Sequence, residues 1–145
     1  MPDRGLNGGP ALEHLSTAGC WTLLATRSFG RLCLYADGRV QVSMTAFAVR
    51  DDTVYFRATA FGPVARLAPS RPVTLQVDDI VDDQRAGWSV TVTGRAQRVT
   101  DAATLASLWT PVRPLTWDAG AEPIWMSLTG DDVRGLRVRG AASGP

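Results

Sequence analysis

Between Gly87 and Ala96 the chain reads Gly-Trp-Ser-Val-Thr-Val-Thr-Gly-Arg-Ala. Trp88, Val90 and Val92 alternate with Ser89, Thr91 and Thr93. That is a period of two, rich in β-branched and aromatic residues, and it specifies a strand with two chemically different faces. Gly94 and Ala96 continue the apolar face with almost no side chain. Small residues there mark a bend or the close approach of another backbone, as at the corner of a small barrel. No other stretch is as long and as regular.

The flanking sequence supplies more strands and a few helices. Ser16 is placed to cap a helix carrying Ala18, Trp21, Leu24 and Ala25 as an apolar stripe. Residues 31–35 form a strand with Leu32 and Leu34 on one face, and Asp37-Gly38 is a strong hairpin signal after it. Residues 39–47 return with Val40, Val42, Met44 and Ala46 on one face and Gln41, Ser43, Thr45 and Phe47 on the other. Strands follow at 53–58, at 73–78 and from Gly87 to about Val99, with two weaker ones at 123–128 and 133–139. Pro63 is suited to open a short helix through Leu67, and Thr100 or Asp101 to cap one holding Leu105, Leu108 and Trp109. Pro111, Pro114 and Gly120 make an irregular loop.

This order predicts a mainly β protein. About seven strands joined mostly by short turns give an antiparallel sheet, closed or nearly closed into a barrel with two or three peripheral helices, with a β-sandwich as the rival. Residues 1–13 are expected to be a flexible arm, 14–139 one domain, and 140–145 a tail. A length of 145 residues suits one domain with an unstapled core.

Several function classes are disfavoured. The net charge is +1, so no bulk field recruits nucleic acid or anionic membrane. All 15 basic residues are Arg, which removes lysine chemistry. The exposed strand arginines Arg95, Arg98, Arg134, Arg137 and Arg139 read as a solvated sheet face. No apolar run is long enough for a membrane span and no signal peptide is evident, so the expected location is cytoplasmic. Cys20 and Cys33 lack metal-ligand spacing and are expected to be buried free thiols. His14 is the only histidine and lies near the loose N-terminus, a poor base for a triad and a poor haem ligand. The pairs Asp51-Asp52, Asp78-Asp79, Asp82-Asp83 and Asp131-Asp132 read as turn residues. Trp21 and Trp109 fall on apolar helix faces. Trp88, Trp117 and Trp125 either line a ligand pocket or subunit interface or pack under loops.

Four pieces in order carry a family resemblance: Cys20 to Thr26 leading into Gly30-Arg31-Leu32, Val54-Tyr55-Phe56-Arg57, Val77-Asp78-Asp79, and Gly87 through Ala96. Across about 14–138 the chain resembles the pyridoxamine 5′-phosphate oxidase-like family, the flavin-binding split β-barrels, in its small single-domain bacterial branch. The resemblance implies that the six- to seven-stranded antiparallel sheet is a split β-barrel working as a homodimer, with FMN in a groove between subunits, a small-molecule substrate, and redox chemistry performed by the flavin with no catalytic side chain. By position it assigns Phe47 beside the flavin, Arg57, Ala58 and Thr59 under the ring and toward its phosphate, and Trp88 and Ser89 at the groove. Relatives commonly carry Pro-Val-Asn where Met44-Thr45-Ala46 stand here. They also carry a phosphate-binding Lys where this chain has Pro63 or Val64. Arg57 and Arg66 are the candidates to replace it; alternatively Phe61 fills the pocket. Two further readings stay open on the same fold: an F420-dependent reductase, and a cofactor-free dimeric binding or sensory module.

Overall fold

Strand formation follows the alternation closely, and the interest lies in where strands change partners. The computed structural model describes residues 11–108 and 123–140. In chain order its elements are β1 (Ala11–His14), α1 (Thr17–Leu24), β2 (Phe29–Ala36), β3 (Arg39–Arg50), β4 (Thr53–Thr59) and α2 (Pro63–Leu67). Then come β5 (Val73–Val81), β6 (Ala86–Gly94), β7 (Ala96–Arg98), α3 (Ala102–Leu108), β8 (Pro123–Thr129) and β9 (Asp132–Arg139). Every strand pair is antiparallel, and the order across the sheet is β1-β9-β6-β5-β2-β3-β4-β8-β7.

That order explains the split barrel. β6 lies inside the first half of the sheet, while β7, one residue further along the chain, lies at the far edge beside β8. One stretch of chain therefore ties the two ends together. Gly94 makes the corner possible: a Cβ there would stand 2.3 Å from the Thr129 carbonyl oxygen. The Asp131 backbone N–H donates to the Thr93 carbonyl at 2.9 Å and fastens the same corner from the other side. β3 bends in the same manner, pairing with β2 through Ala46 and with β4 from Phe47 onward.

The core fills the space inside this curve. Leu32, Leu34, Phe56, Leu75, Val77, Val90, Val92 and Leu128 are buried there. α1 closes one opening with Cys20, Trp21 and Leu24, and the Ser16 hydroxyl accepts from the Gly19 N–H at 3.0 Å as the helix cap. The helix packs so closely that a Cβ on Gly135 of β9 would stand 2.6 Å from Cys20 Sγ. A smaller cluster of Ala46, Trp125 and Leu108 lies under α3. There the Asp101 side chain accepts from the hydroxyl and backbone N–H of Thr104, which holds its carboxyl below the usual range.

Several expectations change. Residues 11–13 are not a loose arm: they belong to β1, which pairs with β9, and His14 sits on that strand opposite Leu136. The stripe of α1 is Cys20, Trp21 and Leu24, with Ala18 and Ala25 exposed; Cys20 joins it because its Sγ packs against Gly135 of β9. Asp78-Asp79 is inside β5, where Arg31 and Arg27 respectively pair with the two carboxylates. Asp51-Asp52 does form a turn, with both residues at positive φ, as does Asp37-Gly38. The single long strand after Gly87 is two, broken at Arg95. Both cysteines are free; Cys20 is buried, which pushes its thiol up, and Cys33 is half-buried. Trp88 and Trp125 are buried by packing. Trp109, Trp117, the loop around Pro111 to Gly120 and most of the tail lie outside the described residues.

Candidate functional site

β4 alternates strictly: Val54 and Phe56 point into the core with no exposure, so Tyr55 and Arg57 point to the other side. On that side Arg57 faces Trp125, its register partner in β8, with the guanidinium carbon 5.1 Å from the indole centroid. This is cation–π distance, and it fixes the head group. Nε and Nη1 of Arg57 are shielded from solvent and have no hydrogen-bond partner among the described residues. A guanidinium is a permanent cation with five N–H donors, so two shielded and idle donors are a standing cost.

Arg57 also lines a cleft of about 280 Å³. Arg57, Ala58 and Thr59 form one wall, Ser43, Met44 and Thr45 of β3 another, with Leu32 beside them. Gly62, Pro63 and Val64, at the start of α2, close the third side, and Pro123 the rim. The loop from β4 is held as a turn, with the Gly62 N–H donating to the Thr59 carbonyl at 3.0 Å. Thr45 is buried, and its hydroxyl lies 3.0 Å from the Arg57 carbonyl oxygen. That contact ties β3 to β4 where β3 bends. Arg57 is the charged residue of the described lining. The lining offers hydroxyls, backbone and one cation, which is chemistry for holding an anion. Among the described residues no cluster of three His, Cys, Asp or Glu could hold a metal.

Of the seven residues assigned from sequence, Arg57, Ala58 and Thr59 come together in the cleft. Phe47 does not join them: it is 1% exposed and packs in the core opposite Phe56. The cause is the bend of β3, where Thr45, Ala46 and Phe47 are all buried and alternation lapses. Trp88 points inward to the core, and Ser89 points outward, accepting from Gln76 Nε2 at 3.1 Å; neither lines the cleft. Arg66 is half exposed on α2, 3.7 Å from the Asp37 carboxylate, and does not line the cleft either. Phe61 does not fill the pocket, being 83% exposed. Ser43, Met44, Thr45 and Gly62 to Val64 were missed as lining residues. Their signal was the segment around Met44-Thr45-Ala46, which departs from the family pattern beside the site.

The outer face next to this cleft is mostly apolar, with Arg31 beside Met44 as its charged member. Phe29, Tyr35, Val40, Val42 and Met44 on the β2–β3 hairpin are each more than half exposed. The alternating apolar set of β3 thus faces outward, and Met44 belongs both to that face and to the cleft.

A family model described as pyridoxamine 5′-phosphate oxidase matches residues 16–137. No curated protein matches the chain. Among solved structures, an FAD binding protein from Mycobacterium smegmatis is 27% identical, with 88% of this chain and 98% of that one covered and a TM-score of 0.67. An FAD-binding protein from Mesorhizobium loti is 22% identical, covering 90% and 98%, at a TM-score of 0.70. An FAD and haem binding protein from Mycobacterium smegmatis is 18% identical, covering 91% and 75%, at 0.62. The last two likenesses speak to the fold alone. With the family model running from the cap of α1 to the end of β9, the chain belongs to the pyridoxamine 5′-phosphate oxidase-like family.

Proposed function

We propose that this protein is a homodimeric flavin-binding oxidoreductase that seats the phosphate of a flavin nucleotide at Arg57. The observation that carries the reading is the guanidinium itself, held over Trp125 with Nε and Nη1 shielded and unused. A phosphate oxygen satisfies such donors with charge-assisted hydrogen bonds, which turns their desolvation cost into binding energy. Thr59 and Thr45 supply hydroxyls on either side. Likeness to the FAD binding protein from Mycobacterium smegmatis supports a flavin rather than another anion.

A cleft of about 280 Å³ is at the small end of ligand pockets. It suits the phosphate and sugar chain but not a whole flavin, so the ring needs a second wall. The apolar β2–β3 face is continuous with the cleft through Met44 and fits a second copy of this chain. A contiguous exposed apolar face of this kind marks an interaction surface, and a twofold pairing makes it self-complementary. The flavin supplies the electron chemistry when bound. The chain's own part is to bind the phosphate, orient the ring between subunits and keep water from one side of it. Among the described lining residues, the hydroxyls of Ser43, Thr45 and Thr59 are the groups able to exchange a proton with a substrate.

The test is the absorbance spectrum of the purified protein followed by titration with FMN, FAD and F420. Flavin bands or saturable flavin binding, lost in Arg57→Ala, are the expected result. Tight F420 binding with no flavin binding assigns the deazaflavin instead. A colourless protein that ignores all three overturns the reading in favour of a cofactor-free module.

A further inference from the structure

We infer that Arg50 is a positioning residue for the Arg57 cation, acting through helix α3 and the ring of Trp125. The inference rests on the flavin reading above for its effect on binding, and on geometry alone for its effect on Arg57. Two observations carry it.

The first is where Trp125 lies. It is buried in a small cluster with Ala46 of β3 and Leu108 of α3, and Leu105 of the same helix packs against that cluster. The Arg57 guanidinium carbon stands 5.1 Å from the centroid of the Trp125 ring. One residue therefore meets both α3 and the cation. A cation–π contact fixes a guanidinium only as well as the ring itself is fixed. Packing with Leu108, which has no exposure, fixes the ring here.

The second is how α3 is held. It has seven residues, Ala102–Leu108, too few for a helix to persist without tertiary support. At its start the Val99 N–H donates to the Trp125 carbonyl oxygen at 2.8 Å. At its end Arg50, the last residue of β3, donates from Nη1 to the Ser107 hydroxyl and from Nη2 to the Ser107 carbonyl oxygen, the latter at 2.8 Å. Both bonds from one guanidinium go to one residue 57 positions along the chain. Such a fork fixes direction as well as distance, which the single ammonium of a lysine does not. β3 thus reaches Arg57 by two routes. Thr45 contacts its carbonyl directly, and Arg50 acts through α3 and Trp125. An anion at the shielded donors of Arg57 needs a fixed guanidinium, because a displaced plane loses the alignment of every bond.

The experiment uses the full chain and reads Arg57 directly. The Nε–H signal of Arg57 in a proton–nitrogen NMR spectrum is identified by its loss in Arg57→Ala. Nε is shielded, so in wild type this signal is expected to exchange slowly with water. The Trp125 ring displaces it, so Trp125→Phe is expected to move it. Arg50→Ala is expected to move and broaden the same signal. It is also expected to weaken FMN and inorganic phosphate by about three- to tenfold, with an unchanged circular dichroism spectrum. Arg50→Lys is expected to restore part of both. Ser107→Ala removes one acceptor on an exposed residue and is expected to give a smaller change in the same direction, which tests the clasp even where Arg50→Ala fails to fold. In an Arg57→Ala background, Arg50→Ala is expected to cost no further affinity. Arg134→Ala, which breaks an exposed pair with Asp132, is expected to change none of these readings. A lower urea midpoint in Arg50→Ala, with the Arg57 signal and both affinities unchanged, overturns the inference and leaves Arg50 a stabilising contact. So does tighter binding in Arg50→Ala, which would make α3 a cover over Arg57 rather than its support. A wild type that binds neither FMN nor phosphate removes the flavin reading, while the NMR signal still decides whether Arg50 positions Arg57.

Discussion

Arg57 is a residue whose effects on stability and on binding should run in opposite directions. Among the described residues nothing satisfies its shielded Nε and Nη1, which costs free energy, while the contact with Trp125 returns about 0.5–2 kcal/mol. Arg57→Ala removes both. The urea midpoint of the ligand-free variant is therefore expected to correspond to a stability within about 1 kcal/mol of wild type, or higher, while flavin affinity falls by about 10- to 100-fold. A large loss of stability without loss of affinity would make Arg57 a packing residue. Gly94 is the opposite case, structural and remote from the cleft. A methyl group there meets the Thr129 carbonyl oxygen at 2.3 Å, a backbone atom that cannot step aside cheaply. Gly94→Ala is expected to destabilise by about 3 kcal/mol, the upper end for overpacking, read as a lower urea midpoint. Gly94 was legible in the sequence because a glycine on the apolar face of a regular strand weakens that strand unless a bend or another backbone needs the space. Phe47 was not. Its burial depends on the lapse of alternation at Thr45, Ala46 and Phe47, and that lapse is set by β3 changing partner from β2 to β4. Nothing local in the sequence announces the change.

At the scale of elements, the β2–β3 hairpin shows what periodicity does and does not reveal. The alternation of Val40, Val42 and Met44 was readable, and so was the turn at Asp37-Gly38. Which face meets the core was not, because the apolar face of residues 40–44 is the one turned outward, and the other, with Gln41, Ser43 and Thr45, becomes fully buried only from Thr45, at the bend. The result is an apolar stripe turned outward, with Val42 paired across from Cys33 and Val40 from Tyr35. If this stripe is the subunit contact, a charge in its centre should separate the subunits without unfolding them. Val42 is 61% exposed in the single chain, so Val42→Asp leaves the core untouched. The expected outcome is a monomer mass by light scattering, an unchanged circular dichroism spectrum, and flavin affinity reduced by at least about tenfold. A dimer of wild-type strength would place the subunit contact elsewhere. The edge strand β1 was missed for a related reason: four residues near the chain start carry little pattern, and their order comes from pairing with β9.

For the whole molecule, the cleft and the apolar face share Met44, so under the dimeric flavin reading binding and assembly are coupled by geometry. Fold class was legible because it depends on many alternating strands, each an independent vote. The cleft was legible only in part, since it is made by β3, β4 and α2 meeting at a bend, and only the Arg57 to Thr59 wall was marked by the family pattern. Coupling has a thermodynamic consequence. A ligand that binds the folded dimer but not the unfolded chain adds RT ln(1 + [L]/Kd) to stability, about 2.7 kcal/mol at a hundredfold excess over Kd. For a chain of this length that corresponds to a rise of roughly 5–10 °C in Tm. Under the dimeric flavin reading the rise should appear with flavin in wild type and shrink in both Arg57→Ala and Val42→Asp, although those residues lie on different strands. It should also grow with protein concentration in wild type, because the dimer is the binding species, and lose that dependence in Val42→Asp. A flavin-induced rise that Val42→Asp leaves intact would show that one subunit suffices to hold the cofactor, and would separate the cleft from the interface.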